Sequence, residues 1–227
     1  MARSAQPQTR ARCGRSELSA HFDIELELIA QNIWPVAGID EVGRGPLAGP
    51  VCVAAVILNP RDLPQGVDDS KKLTAAKRKA LYEDICARAL SVAVAMAPAA
   101  EIDTLNIRQA TLACMSRAAR ALGLAPVFIL VDGNDLPILP CPGRAIVQGD
   151  ATSLSIAAAS IVAKVSRDRL MARLDLLHPG YGFSAHAGYA TAAHRAALQK
   201  LGPCPEHRRS YAPVRLCGET AATEAGS

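Results

Sequence analysis

With 227 residues, half of them apolar, a fifth charged and 4% aromatic, the chain has enough material for one hydrophobic core and lies outside the composition of disordered or collagen-like chains. Its net charge of +4 permits a polyanionic partner without identifying one. The seven cysteines (Cys13, Cys52, Cys86, Cys114, Cys141, Cys204 and Cys217) form no C-x-x-C pair and no disulfide-like framework, which points to a reducing cytoplasmic setting, and no apolar run approaches the roughly 18 residues that span a bilayer.

Residues 1–30 open with Arg3, Arg10, Arg12 and Arg15 and no acid before Glu17. No amphipathic helix accompanies these arginines, so the segment reads as a largely disordered or extended basic tail rather than an organellar transit peptide. Val36–Asp40 and Val51–Leu58 are short, β-branched and apolar, with glycines and a proline between them, and predict two strands of a hairpin. A polar loop containing Asp68, Asp69, Ser70, Lys71 and Lys72 follows, and Thr74 can then cap a helix running to about Leu90. Ser91–Met96 predicts a third strand. From Glu101 to Leu122 the residues Leu105, Leu112, Met115, Ala119 and Leu122 recur at helical spacing, and Gly123 supplies a stop.

Val127–Val131 predicts a buried strand ending at Asp132, and Ala145–Gln148 a shorter one ending at Gly149-Asp150. Ser153–Leu177 predicts a long alanine-rich helix that can lie close to a sheet. From His178 the pattern is loops and one helix over Thr191–Leu201, ended by Gly202-Pro203. Strands first, then strands alternating with helices, predict an α/β fold with a mixed central sheet flanked by helices. The folded domain is expected over 31–215, including a small helical portion from about 178, with 216–227 as a disordered tail.

Asp40, Glu41, Asp132 and Asp150 each stand where an apolar strand gives way to glycine, and neighbouring strands bring such ends together. Taken singly, an acid in such a place is more often a turn or capping residue. Gathered at one apolar sheet edge, the same carboxylates would repel and raise one another's pKa unless a cation neutralised them, so the set points to a divalent metal. Oxygen ligands suit Mg²⁺ or Mn²⁺ rather than zinc. Two such ions roughly 3.5–4 Å apart activate a water and stabilise the leaving oxygen of a phosphodiester, as in many nucleases. Neighbours Asp40 and Glu41 project to opposite faces of an ideal strand, so sharing a metal requires a bend there, which the downstream glycines make easy.

The turn Gly43-Arg44-Gly45-Pro46-Leu47-Ala48-Gly49 has the wrong glycine spacing for a dinucleotide fingerprint, and no Gly-Lys-Ser/Thr ends it as in a P-loop. Side-chain-free backbone at Gly43 and Gly45 can instead touch a sugar or phosphate, with Arg44 adding charge; a plain hairpin turn is the alternative. His178, His186, His194 and His207 lack zinc-ligand spacing and suit structural or phosphate-contacting roles.

The string DEVGRGPLAGPV at Asp40–Val51 resembles the signature of type 2 ribonuclease H, also called ribonuclease HII. Supporting strings follow in the family's order: DDSKKL at Asp68–Leu73, VDGN at Val131–Asn134 and GDATSLSIAAASIVAKVSRDR at Gly149–Arg169. HPGYGF at His178–Phe183, GYAT at Gly188–Thr191 and GPCPEHRRSY at Gly202–Tyr211 complete the set, and the likeness covers Val36–Val214. The resemblance implies a ribonuclease H-like fold and an endonuclease acting on the RNA strand of RNA-DNA hybrids. It also implies cutting 5′ to single ribonucleotides embedded in duplex DNA, leaving 3′-hydroxyl and 5′-phosphate ends.

Carried over position by position, the resemblance makes Asp40, Glu41, Asp132 and Asp150 the catalytic residues, holding two divalent ions, Mn²⁺ or Mg²⁺. It assigns Gly43, Arg44 and Gly45 to reading the ribose 2′-hydroxyl, the group that tells RNA from DNA, and Tyr189 to stacking on the neighbouring deoxyribose. Lys71, Lys164 and Arg169 suit phosphate contacts, which give affinity and salt dependence rather than sequence choice. Two positions depart from the usual pattern: Ala187 stands where lysine often precedes the Gly-Tyr pair, and Ala190 where glycine or proline often follows it. A non-catalytic hybrid-binding protein would be expected to lack one of the acids; all are present. No heptad or repeat points beyond a monomer, and recruitment by a replication clamp is not readable from the sequence.

Overall fold

The computed structural model describes residues 20–67 and 73–217. The apolar run Val51–Ile57 forms a strand in which every residue is buried, as a run without polar alternation must when both faces of a sheet are covered. In chain order the elements are α1 (Asp23–Ala30), β1 (Val36–Val42), β2 (Val51–Ile57), α2 (Ala75–Arg88), β3 (Ser91–Ala97), α3 (Ala99–Leu105) and α4 (Ile107–Arg120). Then come β4 (Phe128–Asp132), β5 (Gly143–Ile146), a 3₁₀ turn at Gly149–Ala151, α5 (Leu154–Leu177), α6 (Phe183–His186) and α7 (Ala192–Leu201).

The strands form one mixed sheet in the order β3-β2-β1-β4-β5. β1 pairs antiparallel with β2, and β2 with β3; β1 pairs parallel with β4, and β4 with β5. Alternate residues of β2 enter separate cores. Cys52, Ala54 and Val56 pack with α2 and α5, while Val53, Ala55 and Ile57 pack with α4, so helices cover both faces. The alanine run of α5 lets this helix come unusually close to β1. A Cβ on Gly38 would lie 2.2 Å from the backbone carbon of Ser155, so no larger residue fits without separating helix and strand.

Ser153 caps α5, its hydroxyl accepting from the Ile156 amide at 3.3 Å. The expected single helix over Glu101–Leu122 is instead two, α3 and α4. Asn106 adopts φ 68 between them, and its side chain accepts from the Gln109 amide to cap α4. Asparagine makes a good cap, a local preference that overrides the continuing helical periodicity. Residues 20–30, expected to belong to an extended tail, also fold. Leu28 of α1 is buried with Val36, Leu130 and Ile156, and buried Glu25 accepts from the Ser153 hydroxyl at 2.6 Å and the Ser155 amide at 2.9 Å, tying α1 to the start of α5. The folded region therefore begins before residue 31. The last strand is Gly143–Ile146, shifted toward the N-terminus from the expected Ala145–Gln148.

The C-terminal portion holds a packed cluster of rings. His186 and His194 stack at 4.4 Å, and the Nε2 atoms of His194 and His207 lie 3.1 Å apart. The backbone partners set the protons: His194 Nδ1 faces the Tyr189 carbonyl, so it carries hydrogen, and His207 Nδ1 accepts from the Cys204 amide. His207 Nε2–H therefore donates to His194 Nε2, and both rings are neutral. These histidines serve packing, the structural half of their expected role.

Two outcomes follow from this packing. Gly38→Ala is expected to lower the free energy of unfolding by about 3 kcal/mol in urea titrations, the upper range for overpacking. Burial, and then His194, push His207 from 6.5 down to about 4. A depressed folded value means that the stabilisation is complete above pH 6.5 and is lost as pH falls toward about 4. Unfolding free energy should decline across that window, and His207→Gln, neutral at every pH, should flatten the decline.

Candidate active site

The parallel register of β1 with β4 sets Ile39 opposite Val131, so the next residue of each strand, Asp40 and Asp132, emerges at the same sheet edge. The ladder of β1 with β2 continues through the acids, pairing Asp40↔Ala54, Glu41↔Val53 and Val42↔Cys52. Both acids nevertheless reach one place. Asp40, Glu41 and Asp132 line a cleft of about 360 Å³, and Glu41 also borders a smaller neighbouring hollow with Asp132, Arg44 and Arg108. Glu41 thus shares both hollows with Asp132 while remaining paired in the β1–β2 ladder.

Asp132 is oriented by the Gly149 amide, which donates to its Oδ1 at 2.7 Å. The next residue, Asp150, is buried on the 3₁₀ turn and is not among the residues lining the cleft. The Glu41 amide donates to Asp40 Oδ1 at 2.7 Å. Burial foremost, then Glu41 and Asp132, hold the Asp40 carboxyl well above the ordinary carboxylate range, with a hydrogen bond from Ser160 opposing the shift. Burial also raises Glu41; Arg44, 3.4 Å away, opposes it and Asp132 adds to it.

Of the expected substrate residues, Gly43, Arg44, Gly45, Lys164 and Tyr189 line the same cleft. Lys164 also pairs with Asp168 at 2.7 Å. Arg169 does not line the cleft; its guanidinium lies over the Tyr82 ring at 4.4 Å and 3.9 Å from Glu83, turned toward α2. Lys71 lies outside the described residues. Arg78 and Ser160 line the cleft without having been anticipated. Arg78 is in the first turns of α2, where its sequence surroundings resemble any solvated helix, and Ser160 is hidden in the small-residue run of α5.

Arg167 and Arg208 were also not anticipated. Both are fully buried, and both hydrogen-bond the backbone of the Gly43–Pro50 connection. Ala187, one of the atypical positions, takes φ 49 and accepts from Arg167 through its carbonyl at 2.9 Å, so the backbone there is held although lysine is missing.

The donor set fits a hard divalent cation. Three carboxylates face one cleft, and burial and mutual repulsion favour protonation of Asp40 and Glu41, which is the condition that a bound cation relieves. Among the described residues no three His, Cys, Asp or Glu side chains already form a closed ligand set. No helix of the described residues is long and apolar enough to cross a membrane.

The sequence profile of the family described as Ribonuclease HII matches residues 37–214, which spans the sheet, the cleft and the arginine-held turn. A Ribonuclease HII of Xanthobacter autotrophicus is 60% identical over 194 residues, covering 86% of this chain and 78% of the relative. One from Brucella abortus is 55% identical over 202 residues, covering 88% and 92%. The ribonuclease H2 of Pyrococcus horikoshii superposes with a TM-score of 0.73 at 26% identity, covering 82% of this chain and 97% of that one. The RNase HII in a PCNA complex from Archaeoglobus fulgidus gives 0.68 at 28%, covering 78% and 95%. The agreement of profile, relatives and fold shows that the chain is a nuclease and belongs to the ribonuclease HII family.

Proposed function

We propose that this chain hydrolyses the RNA strand of RNA-DNA hybrids and cuts 5′ to single ribonucleotides embedded in duplex DNA, leaving 3′-hydroxyl and 5′-phosphate ends. The observation that carries the reading is the meeting of Asp40, Glu41 and Asp132 with the Gly43-Arg44-Gly45 turn and Tyr189 in one cleft. Chemistry and recognition of the sugar are thereby adjacent.

Asp40, Glu41 and Asp132, with Asp150 behind them, would hold Mg²⁺ or Mn²⁺; a pair of such ions supplies an activated water and charge for the departing 3′-oxygen. Within the chain, Gly149 and Ser160 orient these acids through hydrogen bonds to Asp132 and Asp40. The backbone at Gly43 and Gly45 approaches the ribose 2′-hydroxyl, which a larger side chain would block. Tyr189, 43% exposed, presents a ring to the sugar on the DNA side of the junction. Arg44, Arg78 and Lys164 line the cleft as cations for flanking phosphates. Arg169, turned toward α2, contributes at most to the outer electrostatic field. The complex of the Archaeoglobus relative with PCNA supports a sliding clamp as a recruiting partner.

Asp40→Asn is expected to remove metal-dependent cleavage of duplex DNA carrying one ribonucleotide. Its thermal unfolding midpoint should hold or rise, since a neutral amide replaces a buried acid repelled by its neighbours. Added Mn²⁺ should raise the midpoint of the parent chain more than that of the variant. Undiminished cutting by Asp40→Asn overturns the assignment. Tyr189→Ala is expected to lose more than about tenfold in kcat/KM on that substrate, and equal rates for variant and parent remove the stacking role.

A further inference from the structure

The chemistry above leaves the two buried arginines without a task. From α5, Arg167 donates to the carbonyls of Pro50 at 2.9 Å, Ala48 at 3.2 Å and Ala187 at 2.9 Å. From the C-terminal portion, Arg208 donates to Gly43 at 2.5 Å, to Arg44 at 2.8 Å, and to Gly49 at 3.0 and 2.9 Å. The Tyr211 hydroxyl accepts from Arg208 at 3.1 Å and donates to the Arg44 carbonyl at 2.6 Å. Backbone bonds link the same pieces: the Leu47 amide donates to Gly188 at 2.8 Å, the Gly49 amide to Glu206 at 2.9 Å and the Arg208 amide to Leu47 at 2.9 Å.

Three segments far apart in sequence are therefore joined: the Gly43–Pro50 connection, the Ala187–Tyr189 strip and the Glu206–Arg208 strip. We propose that Arg167 and Arg208 are positioning residues that fix the Gly43–Gly45 backbone and Tyr189 as one unit, so that recognition of the ribose and of its DNA neighbour is gained or lost together. The inference rests on the reading given under Proposed function, in which that turn and Tyr189 touch substrate.

The physical reason is fork geometry. A guanidinium offers five planar donors, and Arg208 directs its donors at three carbonyls and a hydroxyl; an ammonium offers three donors from a single point and cannot span them. Carbonyls left unmatched in so buried a place would be costly, so the backbone would shift. Gly43 records how tightly the parts fit: it takes φ +92, and a Cβ there would lie 2.2 Å from Arg167 Nε. A displacement near 1 Å at a substrate-positioning backbone is enough for a loss of about a hundredfold.

The test is a double-mutant cycle on duplex DNA carrying one ribonucleotide, with kcat and KM measured in Mn²⁺ for the parent, Tyr189→Ala, Arg167→Lys and the double variant. Tyr189→Ala should cost more than about tenfold in kcat/KM in the parent and less than about threefold in the Arg167→Lys background, because the ring is already displaced there. A general loss of stability would leave the Tyr189 effect unchanged, so losses that simply multiply overturn the inference while the functional reading stands. A parent chain that cuts no such duplex overturns the functional reading, and the inference with it. Should Arg167→Lys fail to fold by thermal unfolding, Tyr211→Phe decides: it removes one hydroxyl from the Arg44 carbonyl and should lower kcat/KM about threefold with the unfolding midpoint held. Unchanged kcat/KM for Tyr211→Phe overturns the inference.

Discussion

The parallel pairing of β1 with β4 is the constraint on which the site depends. It sets two strand ends level, so that Asp40 and Asp132, more than ninety positions apart in sequence, leave the sheet side by side. A one-residue slip would turn every side chain of a strand to the other face and carry its acid out of the cleft. The register is held by residues with no part in the chemistry: Ile39, Ile129 and Val131 are fully buried among the residues of the α4-side core, and Leu130 is buried on the opposite side with Ile156. Slippage would expose one set or the other, and the loss of buried apolar area enforces the alignment of the carboxylates.

Such an alignment is unfavourable by itself. Burial and mutual repulsion both oppose ionisation of Asp40 and Glu41, so gathering them has a cost that the rest of the fold must outweigh. It does so with a dense sheet covered on both faces, and with α5 so close to β1 that Gly38 is the residue the contact allows. The same closeness brings Ser160 to Asp40. Helix packing and acid orientation are thus one arrangement seen at two scales.

The acids, the glycine turn and the strands leading to them were legible in the sequence because their signals are local. An apolar run that ends in an acid and a glycine marks a strand end wherever it occurs, and the long helix announced itself through Ser153 and its alanines. What escaped was information that resides in tertiary contact. Arg167 and Arg208 lie in strings that read as basic surface, since arginine is seldom fully buried; their partners are carbonyls, which carry no residue-type signature at all. The break at Asn106 was masked by helical spacing that continues on either side of it. Helix α1 was overshadowed by the arginines preceding it, although its burial comes from Leu28 meeting β1 and β4. Glu41 lines the cleft beside Asp40, although neighbouring residues of an ideal strand point to opposite faces.

The finished site divides its work by charge. Its sheet edge gathers anionic groups, which alone would repel a nucleic acid, whereas the turn, α2 and α5 contribute Arg44, Arg78 and Lys164 to the facing wall. The cations lining the cleft therefore belong to elements other than the strands that carry the acids. Beneath the turn, Arg167 and Arg208 add two more cations out of contact with solvent, where low dielectric lets their field reach further than that of a solvated lysine. The Gly43–Pro50 connection is thus the stretch of chain through which the sheet is joined to α5 and the C-terminal portion, by way of Arg167 and Arg208.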